Sequence, residues 1–333
     1  MTSAPGPGRN CPLHHLYHPS DFAVPASSCC EVLYVVGGLY GNVQALHRVI
    51  DLFERERGDK RLVFNGDFHW FDIDVSAFAQ IQRGVLAFDA TRGNVETELA
   101  APATPVDGGN AGCGCAYPDW VGDGVVERSN RILARLRDTA GDLPGARREL
   151  SLLPMWQRID VGERRVAVVH GDAQSLSGWG FAQETLHERA QLFIAAQWFE
   201  QARVDLFASS HTCLPVFQGV AGRRGASSAG FAPLVLNNGA AGMPNLAGAR
   251  EGLLTRIATR PFEGPQRRFG VARGGLHLDA IAIDYDDCAW QRRFLAQWPA
   301  GSDAHASYWS RISAGTDHTI HDALRAEPTS IEA

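Results

Sequence analysis

The sequence predicts an α/β fold on three observations. Short apolar runs recur and stop at turn residues: Val32-Leu33-Tyr34-Val35-Val36, Leu62-Val63-Phe64, Val166-Ala167-Val168-Val169, Leu206-Phe207-Ala208-Ser209 and Leu234-Val235-Leu236. Runs of this length between turn signals read as buried strands. Between the first two, apolar residues return at Val43, Leu46, Val49, Ile50 and Phe53. That is the spacing of an amphipathic helix, with Asn42 placed as its N-cap. Strand, glycine loop, helix and strand make a βαβ unit. The glycine loop, Gly37-Gly38-Leu39-Tyr40-Gly41, fits neither the dinucleotide fingerprint nor the P-loop spacing.

The third observation concerns how the strands end. Leu62–Phe64 runs through Asn65-Gly66 into Asp67. Thr91-Arg92 leads to Gly93-Asn94-Val95-Glu96, Val169 to His170-Gly171-Asp172, and Ser209 to Ser210-His211-Thr212-Cys213. Leu236 leads to Asn237-Asn238-Gly239. In open α/β sheets, ligands bind beyond the carboxyl ends of the strands. A carboxylate placed there costs desolvation energy unless a cation or donors satisfy it. Oxygen and imidazole ligands of these kinds suit a divalent metal such as Mn, Fe or Zn.

The ordered set of strand ends, from Val32 to Pro244, resembles the calcineurin-like metallophosphoesterase family. The resemblance implies a four-layer α/β/β/α sandwich with two mixed sheets. It implies one metal held by Asp67, Asn94, His170 and His211. The family's other metal would fall to Gly38, Tyr40, Asp67 and Cys213, where three of the usual ligand types have changed. Gly38 has no side chain to offer, Tyr40 is a poor ligand while protonated, and Cys213 would ligate as a thiolate. The position of the family's proton donor is Val95, which does no acid-base chemistry. His69 is a candidate stand-in, or else a histidine hydrogen-bonded within its turn. Glu96 holds the family's acidic position and would orient a neighbour, or else lie in solvent. Arg92 is a candidate phosphate contact because a guanidinium matches phosphate geometry bidentately. Tyr40, Asn42 and Asn238 are candidate substrate contacts.

The rest of the chain is less explicit. Residues 1–30 form an arm with Cys11, His14, His15 and His18 clustered in it. That spacing can bind metal but lacks a second Cys/His pair at finger distance. Val75–Arg83 reads as a helix, Val85–Thr91 as a strand, Val125–Arg137 and Ala182–Ala202 as helices. Gly162-Glu163 joins Trp156–Val161 to Arg164–Val169 as a hairpin. The 100–150 insertion departs most from the family. It is rich in Gly, Pro and Ala and then gives Cys113, Cys115, Tyr117 and Trp120. Ser175–Gly180 is placed to wall a pocket. Leu253–Thr259, Leu276–Tyr285 and Trp290–Leu295 read as strands. The main domain is thus expected over 31–295, with 296–333 as a loosely helical extension.

Composition bounds the function. A net charge of −6 at pH 7 gives no electrostatic case for nucleic acid. No apolar run is long enough to span a bilayer. The polar first ten residues are no secretory signal, and seven cysteines without one point to a reduced, cytoplasmic protein. Three functions stay open. The first is a metal-dependent phosphoester hydrolase, a phosphatase or phosphodiesterase, acting on a phosphorylated small molecule or another phosphoester. The second is a binding protein that keeps the fold and has lost hydrolysis. The third is different chemistry at a metal site built with Cys113, Cys115 and Cys213.

Overall fold

A computed structural model describes residues 6–101, 111–221 and 231–327. The Gly- and Pro-rich start of the insertion and both chain ends lie outside the described residues.

The chain opens with β1 (Ser28–Cys30), β2 (Val32–Val36), α1 (Val43–Arg55) and β3 (Lys60–Asn65). Helix α1 starts where it does because the Asn42 side chain accepts the Ala45 N–H at 2.9 Å. There follow α2 (Val75–Val85), β4 (Asp89–Thr91), α3 (Asn94–Ala100), α4 (Asp123–Asp142) and α5 (Ala146–Ser151). Next come β5 (Trp156–Val161), β6 (Arg164–Val169), α6 (Arg189–Ala202), β7 (Leu206–Ser209), β8 (Pro215–Gly219) and β9 (Leu234–Asn238). The chain ends with β10 (Gly252–Ala258), β11 (Arg267–Arg273), β12 (Leu276–Ile283), α7 (Asp287–Gln297), α8 (Asp303–Ala314), α9 (Ile320–Ala323) and β13 (Leu324–Arg325).

The strands form two mixed sheets, ordered β1-β5-β6-β7-β9-β8-β13 and β11-β12-β10-β2-β3-β4. Side-chain alternation turns these sheets into four layers. In β2, Leu33 and Val35 point into one apolar cluster, while Val32, Tyr34 and Val36 point into another. In β6, Val166 and Val168 share the cluster of Leu33 and Val35, whereas Ala167 and Val169 face the opposite way. The shared cluster is therefore the seam between the sheets. The outer face of the second sheet is covered by helices that bring Leu46, Phe78, Leu133 and Trp290. Helix α6 covers the first sheet with Leu192, Trp198 and Phe199. Strands buried on both faces read as unbroken apolar runs, which is what the sequence shows.

The sheets present their parallel cores side by side. Strands β2, β3 and β4 run parallel, as do β6, β7 and β9. Their carboxyl ends are stitched across the seam: Asn65 Nδ2 donates to the Val169 carbonyl at 2.7 Å. Every loop singled out from the sequence for its Asp, Asn or His leaves from one of these ends.

Several local expectations change. Trp290–Leu295 lies in helix α7 rather than a strand. Asp286 caps that helix, and Trp290 and Phe294 bury one face four residues apart. The expected strand 85–91 shrinks to β4, because Val85 completes the apolar face of α2. Helix α6 begins at Arg189, after an extended Glu188 and a separate turn at Thr185–His187. The terminal segments are built into the layers. Strand β1 pairs with β5, β13 pairs with β8, and Phe22 packs edge-on against Trp156 and Phe207.

The segment after residue 295 also belongs to the core. Trp298 is buried, donates its indole N–H to the Phe71 carbonyl at 2.8 Å and carries the Arg135 guanidinium over its ring. Trp298→Ala is expected to lower the unfolding free energy by about 3–5 kcal/mol, read by urea denaturation. A detachable C-terminal extension would show almost no loss.

Candidate metal centre

The site is built from the turn that follows β3. Asp67 lies there with φ +50°, in the left-handed region that non-glycine residues rarely occupy. The Glu96 carboxylate holds it in place. Glu96 accepts the backbone N–H groups of Asp67 at 2.8 Å, Phe68 at 3.1 Å, His69 at 3.2 Å and Gly93 at 2.9 Å. One buried carboxylate thus ties the end of β3 to the turn after β4. Gly93 is required by close approach: a Cβ there would lie 2.3 Å from Asp67 Oδ1.

Four side chains converge beside this turn. His170 Nε2 lies 3.3 Å from Asp67 Oδ1, 3.3 Å from Asn94 Oδ1 and 3.2 Å from His211 Nδ1. Hydrogen bonds at the far ends decide which atoms face inward. His170 Nδ1 is 2.8 Å from the Asn65 carbonyl, so that nitrogen carries the proton. His211 Nε2 is 3.1 Å from the Cys115 carbonyl and carries its proton likewise. The Asn94 amide donates to the Cys113 carbonyl at 3.0 Å, which turns its oxygen toward His170. With both imidazoles neutral, two nitrogen lone pairs face two oxygens with no proton between them.

Such a set is repulsive unless a cation sits among it. The spacings match the edges of a first-row coordination shell, since ligand distances of about 2.0–2.2 Å put neighbouring donors about 3.0–3.5 Å apart. The anchoring of each outer nitrogen by a carbonyl is the arrangement that fixes metal-ligating histidines. The residues present fit a divalent metal.

The electrostatics show the same demand for positive charge, which either a metal or a proton on His170 meets. Burial resists the charge on Asp67, but His170 and His211 outweigh it and lower its pKa. Burial likewise resists a charged His170, but the Asp67 carboxylate outweighs it and raises its pKa. Burial, reinforced by neighbouring His170, pushes His211 down to about 3.

The other half of the family's site is closed. The Tyr40 hydroxyl meets Cys213 Sγ at 2.7 Å. A Cβ on Gly38, which has φ +66°, would lie 2.9 Å from the Tyr40 ring. The tyrosine thus fills the space a side chain at 38 would use. Burial raises the pKa of both Tyr40 and Cys213, so neither is an anion at neutral pH. Tyr40 and Cys213 both have positive φ, at +53° and +64°, as Asp67 does. Backbone strain of this kind collects at functional sites.

The cavity in front of the cluster opens onto Asp67, Asn94 and His211. Trp70, Tyr117, Trp179 and Tyr308 form most of its wall, with Val95 and the Tyr40–Cys213 pair completing it. Among the described residues, neither Lys nor Arg lines it.

The remaining sequence candidates do not face this cavity. His69 donates its Nδ1–H to the Asp72 carboxylate at 2.6 Å and stacks on Phe78 at 3.6 Å, buried behind the turn. Glu96 spends both oxygens on backbone N–H groups. Arg92 reaches the Ser151 carbonyl at 3.1 Å. Asn42 caps α1 and donates to the Gly242 carbonyl, and Asn238 pins the Gly37 and Leu253 carbonyls. Of the substrate-contact candidates only Tyr40 lines the cavity. Among the described residues, no group of potential ligand atoms close enough to share an ion contains a cysteine, so Cys113, Cys115 and Cys213 are not brought together as one set. Those loop cysteines serve through their backbone carbonyls, which orient Asn94 and His211. Nothing in the sequence marks carbonyl contacts of that kind. Tyr308 was also missed, since an aromatic on a remote helix gives no local signal.

Neither a protein-family model nor a curated protein matches the chain. Two solved structures superpose along most of its length. A metallophosphoesterase from Sphaerobacter thermophilus is 16% identical, with 86% of this chain and 100% of that one covered, at a TM-score of 0.51. A hypothetical protein from Pyrococcus horikoshii OT3 is 12% identical, with 87% and 99% covered, at a TM-score of 0.53. At such identities the likeness is one of fold, and the chain has the metallophosphoesterase fold.

Glu96→Gln leaves one acceptor oxygen for four N–H groups. It is expected to cost about 2–4 kcal/mol of stability, since a buried donor left unpaired costs about 1–3 kcal/mol. Chemical denaturation measures this, and a change within error would mean the carboxylate is not the anchor. Gly38→Asp is expected to destabilise by at least about 1 kcal/mol, through positive φ and contact with Tyr40. Its thermal midpoint checks this, and an unchanged value would mean that the Tyr40 ring yields.

Proposed function

We propose that the chain is a phosphoester hydrolase using a single divalent metal held by Asp67, Asn94, His170 and His211. The observation that carries this reading is the inward convergence of Asp67, Asn94, His170 and His211, the last three fixed at their far ends by backbone carbonyls. A divalent metal there supplies a Lewis acid for a phosphoryl oxygen and lowers the pKa of a bound water. Asp67 and Asn94 set the oxygen ligands, the two histidines set the nitrogen ligands, and the aromatic wall excludes bulk water.

Charge and acidity narrow the substrate. Asp67 is the one ionised side chain of the ligand set, so a dication leaves the pocket with a single positive charge. With no Lys or Arg on the wall among the described residues, a singly charged phosphodiester suits it better than a dianionic monoester. No carboxyl or imidazole outside the ligand set lines the cavity among the described residues, and Tyr40 is too weak an acid to protonate a leaving group. The substrate is therefore a phosphodiester whose leaving group departs as a stable anion.

The closed Tyr40–Cys213 half favours a second reading, a protein that binds a metal and a phosphoester without cleaving it. Activity separates the two. With Mn, Fe or Zn, cleavage of an aryl phosphodiester is expected to exceed that of an alkyl diester and of the matching aryl monoester. Asp67→Ala and His211→Ala should each lower kcat/KM by at least about 100-fold, through loss of ligands, and hold one metal ion fewer per chain than the native protein on elemental analysis. Metal bound tightly with no turnover would establish the second reading, and unchanged activity in both variants would end the first.

Metal affinity should also fall with acid. A proton on His170 competes for the lone pair that faces the cluster, and its raised pKa brings that competition nearer neutrality. Titration calorimetry is expected to show tighter binding as pH rises. A flat profile would exclude an imidazole ligand.

A further inference from the structure

The histidines of the N-terminal arm take no part in that chemistry, yet two of them meet a buried carboxylate. His14 Nε2 lies 3.1 Å and His15 Nε2 3.2 Å from the same oxygen, Glu98 Oε1. Three potential ligand atoms, one from each residue, lie within 4.8 Å of one another, as do those of Asp67, His170 and His211. We propose that His14, His15 and Glu98 form a second metal site, structural in role and selective for zinc-like divalent ions.

Two of the three side chains are already held from behind. The second Glu98 oxygen accepts the Arg137 guanidinium at 3.0 Å, which directs Oε1 toward the histidines. His15 Nδ1 faces Ser177 Oγ at 2.9 Å. Bonded outer atoms of this sort keep ligating carboxylates and imidazoles in place. Without metal, each imidazole gives its Nε2–H to Glu98. With metal, that proton sits on Nδ1 instead, where Ser177 Oγ accepts it from His15, so the exchange needs no net proton release. Burial lowers the pKa of His15 and keeps the ring neutral. The His14 side chain is 55% exposed, which leaves a path for the ion and room for water as a further ligand.

Two imidazoles and one carboxylate are a zinc-type set, whereas calcium and magnesium prefer oxygen ligands throughout. The location gives the site its purpose. Glu98 stands one helical turn after Asn94 on α3, so the two share a face. The loop over both sites is the one whose carbonyls orient Asn94 and His211. Its Gly114 packs so closely that a Cβ there would lie 2.9 Å from His15 and 2.9 Å from Glu98. An ion at this point fastens the arm, α3 and the loop together.

Full-length protein stripped with chelator and titrated with zinc chloride tests the proposal. Calorimetry and elemental analysis give the stoichiometry. The native chain is expected to take two ions and the Asp67→Ala chain one. His14→Ala added to Asp67→Ala should weaken the remaining ion by at least about tenfold, the scale of losing a metal-site partner. His14 is exposed enough that the far-ultraviolet dichroism should not change, and Glu98→Gln provides a second variant with the same expected loss. An Asp67→Ala chain that binds no zinc, or binds it equally well without His14, overturns the site and leaves the three residues a hydrogen-bonded clasp. Neither result bears on hydrolysis at the first cluster.

Discussion

The candidate centre depends on one carboxylate that never touches it. Glu96 collects four backbone N–H groups from two separate turns, those of Asp67 and of Gly93. A buried carboxylate is costly without donors, and four charge-assisted bonds offset that cost. Burial, and after it the Asp67 charge, still raise the Glu96 pKa. Left-handed backbone at Asp67 is disfavoured in isolation, so the surrounding bonds must impose it. Once it is imposed, Asp67 Oδ1 faces the histidines from the other sheet, and the remaining ligands need only arrive.

They arrive through carbonyls. Asn65, at the end of β3, gives its side-chain N–H to Val169 and receives the His170 proton on its backbone oxygen. The two sheets are therefore locked at their carboxyl ends by the group that sets the tautomer of a ligand. The loop at Cys113–Cys115 repeats the device for Asn94 and His211. Fold and site are held by the same bonds here. Loosening the seam would free the imidazoles to flip, and a flipped imidazole presents an N–H where a lone pair is needed.

The strands were legible because fully buried strands leave unbroken apolar runs. The layers and the ligand set Asp67, Asn94, His170 and His211 came from the resemblance of the ordered strand ends, since each of these residues alone is ordinary turn chemistry. The helical face of Trp290 and Phe294 was misread because a run of a few apolar residues fits either period until its neighbours are known. The roles of His69, Glu96 and Asn238 were hidden for a different reason. Each is a polar residue near the site in sequence, but Glu96 and Asn238 bond backbone atoms of other turns, and His69 bonds Asp72 within its own. The aromatic wall joins Trp70, Tyr117, Trp179 and Tyr308 from four distant segments, and only tertiary structure brings them together.

The closed half of the site is a packing solution rather than a simple loss. Gly38 makes room for the Tyr40 ring, the Tyr40 hydroxyl takes Cys213 as its partner, and Arg311 donates to the Cys213 carbonyl at 2.7 Å from helix α8. A second dication near Asp67 would need anionic ligands, and both Tyr40 and Cys213 are held neutral by burial. The arrangement thus removes one cation and also removes the ligand charge that cation would have balanced. What remains is a site of low charge behind an aromatic wall. On the proposed hydrolase reading, such a site would favour substrates with little charge of their own and make the leaving group's stability the main determinant of rate.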